Sequence, residues 1–355
     1  MTIGLVMIVR DEEAALPATL AAVKPLISSW TVVDTGSEDR TRDVVREHLD
    51  GIPGRFVQRA WEGFAASRNA ALDLARGSAD YHLMLDADLI VEHDGRELEL
   101  TADAYLIQLA GDFRMSLPLL TRDGLDARYA GAAHAYLDLP PTARVERLPQ
   151  LRIRETRSSS PRADKIQTDA ALLEAEISPR TVFYLAQSLR DLGHLREAAD
   201  MYRFRVRLSS ASPQDVFWAC YQEGVLRFEL GGLAAATPIL LEAWQRRPSR
   251  AEPLWKLARE HRLAGQPHVA LMFAKQACRI LDTPDEGFVL GWVYEWGCLM
   301  ELALAHRAVG NANEARAAFL RLTLLGLEGE PHDFASEQLG LLGGSTVTVE
   351  EGVVA

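Results

Sequence analysis

Tyr81-His82-Leu83-Met84-Leu85-Asp86-Ala87-Asp88-Leu89-Ile90-Val91 is the stretch on which the organisation of the chain turns. Its apolar residues predict a buried strand that ends in two carboxylates one residue apart. Side chains alternate along a strand, so Asp86 and Asp88 are expected to converge on one point at its end. Two carboxylates held side by side repel each other unless a cation lies between them. A hard divalent ion, Mn²⁺ or Mg²⁺, suits such oxygen ligands and commonly shares them with substrate phosphates. A bare Asp-x-Asp equally fits a solvated loop end, so the surrounding residues decide.

Upstream, Ile3-Gly-Leu-Val-Met-Ile-Val9 is an apolar run suited to a parallel strand covered on both faces. Leu16, Leu20 and Val23 fall at helical spacing within 14–24. Trp30–Val33 predicts a second strand, followed by the loop Asp34-Thr-Gly-Ser-Glu-Asp-Arg-Thr41 and a helix over 42–49. A third strand is expected at 56–58 and a third helix at 64–76. This alternation predicts a mostly parallel sheet with helices on both faces. Ligands bind such sheets at the carboxyl ends of strands. Asp11, Asp34, Asp86 and Asp88 all fall there, which points to an enzyme site.

The 355 residues suffice for two domains, and 48% hydrophobic with 25% charged residues is a globular composition. No apolar run reaches eighteen residues, so no membrane span is expected. The N-terminal strand lacks the flanks of a signal peptide. Three dispersed cysteines fit buried thiols of a reducing compartment, hence a cytoplasmic location. A net charge of −12 disfavours a general nucleic-acid binder.

Met7-Ile-Val-Arg-Asp-Glu-Glu13, Val32-Val-Asp-Thr-Gly-Ser-Glu-Asp-Arg-Thr41, Phe64-Ala-Ala-Ser-Arg-Asn-Ala-Ala71 and Leu83-Met-Leu-Asp-Ala-Asp88 resemble the successive motifs of family 2 glycosyltransferases. The resemblance implies a GT-A nucleotide-binding fold and a nucleotide-sugar donor, with UDP the commonest nucleotide. It assigns donor contacts to Val9, Asp11, Glu12, Asp34, Gly36, Arg68, Asp86 and Ala87. Asp34 would accept from the base, Arg68 would lie near the diphosphate, and Asp86 and Asp88 would hold the metal. A carboxylate can read an imide N–H, and a cation with a guanidinium can neutralise a leaving diphosphate. Asp11 departs from the family's usual Asn. Each residue also has a plainer role: Asp34 and Asp39 as turn and capping residues, Arg68 as partner of Asp73 or Glu62, Glu12 and Glu13 as helix-start charges.

Strands are expected at 104–109 and 114–120. Residues 128–137 resemble a segment in which relatives read Gly-x-x-His-Glu-Tyr-Leu, but Ala135 stands where they carry Glu. If that Glu is their general base, the base here lies elsewhere. His134, Asp112 and Asp138 are the candidates, and His134 is also a candidate third metal ligand. Arg144, Arg147, Arg152, Arg154, Arg157 and Arg162 read as a solvated linker, or alternatively as receivers of donor phosphates or an acidic acceptor.

Beyond Asp164 helix–turn–helix units recur, with turn glycines at 193, 232, 265 and 310 and small residues Ala198, Ala235, Ala270 and Ala315 following them. The spacing falls loosely around the ~34-residue tetratricopeptide period. Such units bury their faces against neighbours and leave a concave binding surface, on which Arg227 is expected. The whole chain resembles bacterial tetratricopeptide-repeat glycosyltransferases. The expected fold is α/β plus all-α, with a GT-A domain over 1–160, a helical array over 161–342 and a tail over 343–355. The implied activity is metal-dependent, inverting transfer from a nucleotide-sugar to a protein, peptide or glycan, with oligomerisation through the repeats possible in principle. The alternatives are a degenerate repeat scaffold, favoured by Ala135, and glycosylation of modified nucleic acid bases.

Overall fold

The computed structural model describes residues 1–111, 113–131, 135–156, 171, 178–208, 212–285, 287–327 and 329–342. Two compact units emerge, Met1–Ser209 with Glu286–Val289, and Ser210–Asp285 with Leu290–Ala355. The expected boundary at 160 and the tail over 343–355 lie outside the described residues.

In the first unit β1 (Ile3–Val9), β2 (Ser29–Asp34), β3 (Gly54–Gln58) and β4 (Tyr81–Met84) are parallel, in the spatial order β3-β2-β1-β4. Helices α1 (Leu16–Val23), α2 (Thr41–His48) and α3 (Phe64–Ala75) connect them, because parallel neighbours need a crossover. The uninterrupted apolar run of β1 has a two-sided reason. Leu5, Met7 and Val9 face one core with Leu16, Leu20 and Val45, and Val6 faces another with Ala71, Leu72 and Met84. Past β4 the sheet turns mixed. It continues through β7 (Phe113–Arg122), β6 (Ala104–Ala110), β10 (Val145–Glu155) and β5 (Leu89–His93). Of these contacts only β6–β10 is parallel. A two-stranded ribbon, β8 (Arg128–Ala130) with β9 (Tyr136–Asp138), lies apart from this sheet.

Two expectations are corrected here. Tyr81–Val91 is not one strand: β4 stops at Met84, Ala87 and Asp88 form a turn, and β5 departs to the far edge of the sheet. The Leu89 N–H donates to the Asp86 carbonyl across that turn (3.1 Å). Carboxylates cannot continue into an apolar sheet interior without partners, so the chain turns at the pair. The arginine-rich stretch is not a linker over its described part, because Val145–Glu155 is strand β10. Leu151 and Ile153 are buried while Arg152 and Arg154 are exposed, a strand's period of two in which arginines serve as the solvent face.

The first helix pair, α4 (Pro179–Asp191) and α5 (Leu195–Arg207), belongs to this unit. Ser178 caps α4: its hydroxyl accepts from the Thr181 N–H, and the Thr181 hydroxyl accepts from the Ser178 N–H.

The second unit is a helical array: α6 (Pro213–Arg246), α7 (Glu252–Leu263), α8 (Pro267–Ala277), α9 (Cys298–Ala308), α10 (Ala312–Thr323) and α11 (Glu330–Leu341). All four expected turn glycines, 193, 232, 265 and 310, have φ between 68° and 84°. That left-handed conformation ends a helix at little steric cost only for glycine. Ala198, Ala270 and Ala315 are fully buried as expected, but after Gly232 it is Ala236, not Ala235, that is buried. Among the described residues, α6 is the one helix long and apolar enough to cross a membrane by length and composition. Gly232 breaks it into two shorter helices, and Phe217, Trp218, Tyr221 and Leu240 are core residues. Arg227 pairs with buried Glu223 one turn earlier (3.6 Å), so it is a structural residue as well as a surface one.

Candidate functional site

The register of the parallel strands brings the carboxylates to one edge. Val9 pairs with Asp34, Asp34 with Gln58, and Val6 with Met84, two residues before Asp86. At this carboxyl edge two arrangements form.

The first joins the β1–α1 and β2–α2 loops. Asp34, 1% exposed, accepts through Oδ1 from the Ser37 N–H (3.0 Å) and hydroxyl (2.6 Å), and through Oδ2 from Gln58 Nε2 (3.1 Å). Gly36 at φ 111° makes the turn that lets Ser37 fold back. Asp11 sits at φ 54°, accepts from the Glu38 N–H (2.8 Å), and donates its own N–H to the Ser37 hydroxyl (3.0 Å). The Glu12 N–H donates to the Thr41 hydroxyl (2.8 Å), and the Glu13 N–H to Asp39 (3.0 Å). Burial pushes the Asp39 carboxyl up, but hydrogen bonds from Thr41 and the Glu13 N–H outweigh it and leave the group below its ordinary value. Asp34 and Asp39 thus serve as turn residues, Asp39 accepting from the Thr41 N–H (2.9 Å) and hydroxyl (2.5 Å), while the start of α2 carries no side-chain cap.

The second arrangement is a cavity of about 520 Å³ whose wall includes Arg68, Asp86 and Asp88. Arg68 lies one turn into α3, whose preceding residue Gly63 takes φ 101°. Its Nη2 donates to both Asp86 carboxylate oxygens (2.7 and 2.8 Å). The guanidinium stands over the rings of Phe64 (5.7 Å) and Tyr129 (5.3 Å). Asn69 fixes that second ring, donating to the Tyr129 carbonyl (2.9 Å) and accepting from its N–H (2.8 Å). Burial alone would lower the pKa of Arg68, but Asp86, and further off Asp88, raise it, so the cation is permanent. Burial likewise pushes the Tyr129 phenol up, so it stays neutral. Arg68 is therefore not the partner of Asp73, which pairs with Arg128 (2.7 Å) and Arg76 (3.4 Å).

Asp88 completes the cluster. Among the described residues its carboxylate has no hydrogen bond, and only its carbonyl is engaged, by the Thr156 N–H (2.8 Å). Ala87 is buried, its carbonyl accepting from the Thr19 hydroxyl (2.7 Å). Among the described residues no three His, Cys, Asp or Glu side chains gather for a metal. His134 and Asp112 lie outside the described residues, and Asp138 is exposed on β9, off the cavity wall. Val9, Asp11, Glu12, Asp34 and Gly36 also lie off that wall.

Sequence reasoning missed several wall residues. Glu155 closes β10, Tyr136 opens β9, and Arg180, Tyr184 and Gln187 come from α4. Arg180 is stacked over Tyr136 (4.1 Å) and Tyr184 (4.8 Å). The Arg180–Tyr184 spacing of one helical turn was the one available signal for this pair.

These features define a mixed α/β domain with a carboxylate–arginine cavity at the carboxyl edge of its parallel strands, followed by helix pairs. Residues 5–103 match the family model described as Glycosyl transferase family 2. A TPR repeat-containing protein of Synechococcus elongatus is 42% identical over 93 residues, which are 25% of this chain and 22% of that protein. The match therefore spans well under two thirds of the relative. Among solved structures, a MamA protein is 18% identical with TM-score 0.36, covering 52% of this chain and 88% of that one. PilW, described as a type IV pilus biogenesis factor, is 17% identical with TM-score 0.39, covering 48% and 74%.

Proposed function

We propose that the cavity binds a nucleotide-sugar, UDP-linked, and that the protein transfers the sugar with inversion to a protein, peptide or glycan acceptor. The observation that carries this is the Arg68–Asp86 ion pair beside Asp88, whose carboxylate has no partner among the described residues, inside the stretch that matches the transferase family. Arg68 offsets one of the two negative charges, which leaves about one carboxylate charge unbalanced. Hard oxygen donors in this number suit Mn²⁺ or Mg²⁺ once a diphosphate adds its own oxygens. Asp86 and Asp88 would hold that ion, and when bound it would stabilise charge on the departing diphosphate. Arg68, held over two aromatic faces, donates to the same diphosphate as negative charge grows there. Leu109, Met115 and Leu117 make part of the wall apolar. Arg180 and the two tyrosines it stacks on are the groups best placed to receive the acceptor.

Calorimetric titration with UDP, with and without Mn²⁺, tests donor binding. UDP should bind in the presence of the ion and lose most of its affinity in a chelator; no binding of any nucleoside diphosphate under either condition would overturn the proposal. The base contact has its own test. Asp34→Ala should weaken UDP by roughly 1.5–3 kcal/mol, the range for a hydrogen bond to a charged group, while leaving pyrophosphate affinity unchanged. Because Asp34 also holds Ser37, Asp34→Asn serves as the control that keeps the turn. Equal losses for UDP and pyrophosphate would show that Asp34 only supports the loop.

A further inference from the structure

We propose that Glu155 is the general base that deprotonates the acceptor, a role that rests on the transferase assignment above. Ala135, which stands where relatives of the motif carry Glu, lines the cavity with a methyl group and cannot take a proton. A transferase that inverts the anomeric carbon in one displacement needs one carboxylate or imidazole beside the acceptor hydroxyl. Glu155 meets that need from a different element. It lines the same cavity as Asp86, Asp88 and Arg68.

Its place is set by the backbone. Glu155 pairs with Leu89 across the β10–β5 ladder, and the next N–H, that of Thr156, donates to the Asp88 carbonyl (2.8 Å). The last residue of β10 is therefore tied to the turn that carries the metal-type carboxylates. Arg154 points to the opposite face, where it pairs with Glu92 (2.9 Å), so alternation directs Glu155 away from that pair. Among the described residues the Glu155 carboxylate has no hydrogen bond or ion pair and is exposed. Asp86 differs, being engaged by Arg68 through both oxygens. Of the carboxylates on the wall among the described residues, Asp86 is held by Arg68 and Asp88 is the one assigned above to the metal, which leaves Glu155 to accept a proton.

The step balances. An electron pair of the acceptor hydroxyl oxygen forms the bond to the anomeric carbon, and the hydroxyl proton passes to the Glu155 carboxylate. The bond from that carbon to the diphosphate oxygen breaks, and its electron pair leaves on the nucleoside diphosphate. Glu155 then returns the proton to water.

The test uses the full chain, Mn²⁺ and a panel of UDP-sugars, with release of UDP to water as the measured reaction. Glu155→Gln should lower kcat by about 10²–10⁴-fold, the usual worth of a positioned base. UDP affinity should stay unchanged, and the acid limb of the pH–rate profile should disappear. Glu155→Asp should recover part of the rate with its acid limb intact. Wild-type kcat in Glu155→Gln would overturn the proposal, as would a parallel fall in kcat and UDP affinity, which marks a binding or structural role. If the wild-type chain binds UDP but releases none from any UDP-sugar, the transferase assignment fails first and Glu155 has no proton to take.

Discussion

Asp88→Ala should reduce sugar transfer by orders of magnitude while leaving the fold intact. A metal clamp on a departing diphosphate contributes several kcal/mol to the transition state, and each ~1.4 kcal/mol is tenfold in rate. The fold should survive because Asp88 lies in a turn and its side chain makes no hydrogen bond among the described residues. The bond from Thr156 goes to its carbonyl and persists in alanine. Asp86→Ala is a poorer probe, since it strands the mostly buried Arg68 cation without its partner. Turnover and melting temperature measured on Asp88→Ala separate the outcomes: unchanged turnover removes the metal role, and a large fall in melting temperature means the turn itself was damaged.

The second large effect is expected in the helical unit. Arg250, 1% exposed, donates to fully buried Glu252 (2.7 Å) and to Asp285 (3.2 Å), and lies 4.3 Å above the Phe217 ring. Arg247 also pairs with Asp285, and the Tyr294 hydroxyl donates to Glu252 (2.7 Å). Two arginines and two carboxylates make the cluster neutral. Arg250→Ala leaves Glu252 buried with Tyr294 and the Leu290 N–H as its remaining donors among the described residues, a change that costs about 3–5 kcal/mol in comparable buried pairs. Denaturant unfolding should show that loss, and a loss below about 1 kcal/mol would mean water reaches the site. The cluster also predicts acid sensitivity. Burial raises the Asp285 carboxyl, but Arg247 and Arg250 lower it further, to a net value below the ordinary one. Its stabilisation is therefore present at neutral pH and is lost as pH falls through the carboxylate range toward that depressed value.

Much of the first ninety residues was legible because their structure is local. An apolar run, a Gly-bearing loop and a helix-spaced segment each declare themselves within a dozen residues, and three such units fix a parallel half-sheet. Arg68 and the Asp86/Asp88 pair were legible as motif residues. Their ion pair was not, because it depends on how α3 packs against β1 and β2. Glu155 was hidden for a topological reason: β10 reaches the site only after the sheet has turned mixed, and its arginines disguise a strand as a charged linker. In the helical unit the glycines were readable from backbone chemistry. The slip from Ala235 to Ala236 was not, since one residue of helix register depends on how Gly232 bends the chain. Arg227 shows the same limit. Its pairing with buried Glu223 means a charge reversal there would report on stability as well as on any partner.

The most direct test of the central claim is release of nucleoside diphosphate from a panel of nucleotide-sugars by the wild-type chain and by Asp88→Ala, each with Mn²⁺ and with a chelator. The account predicts release by the wild type with Mn²⁺, strongest for a UDP-sugar, and none above background in the other three conditions. Equal release with and without metal, or equal release by Asp88→Ala, would contradict it.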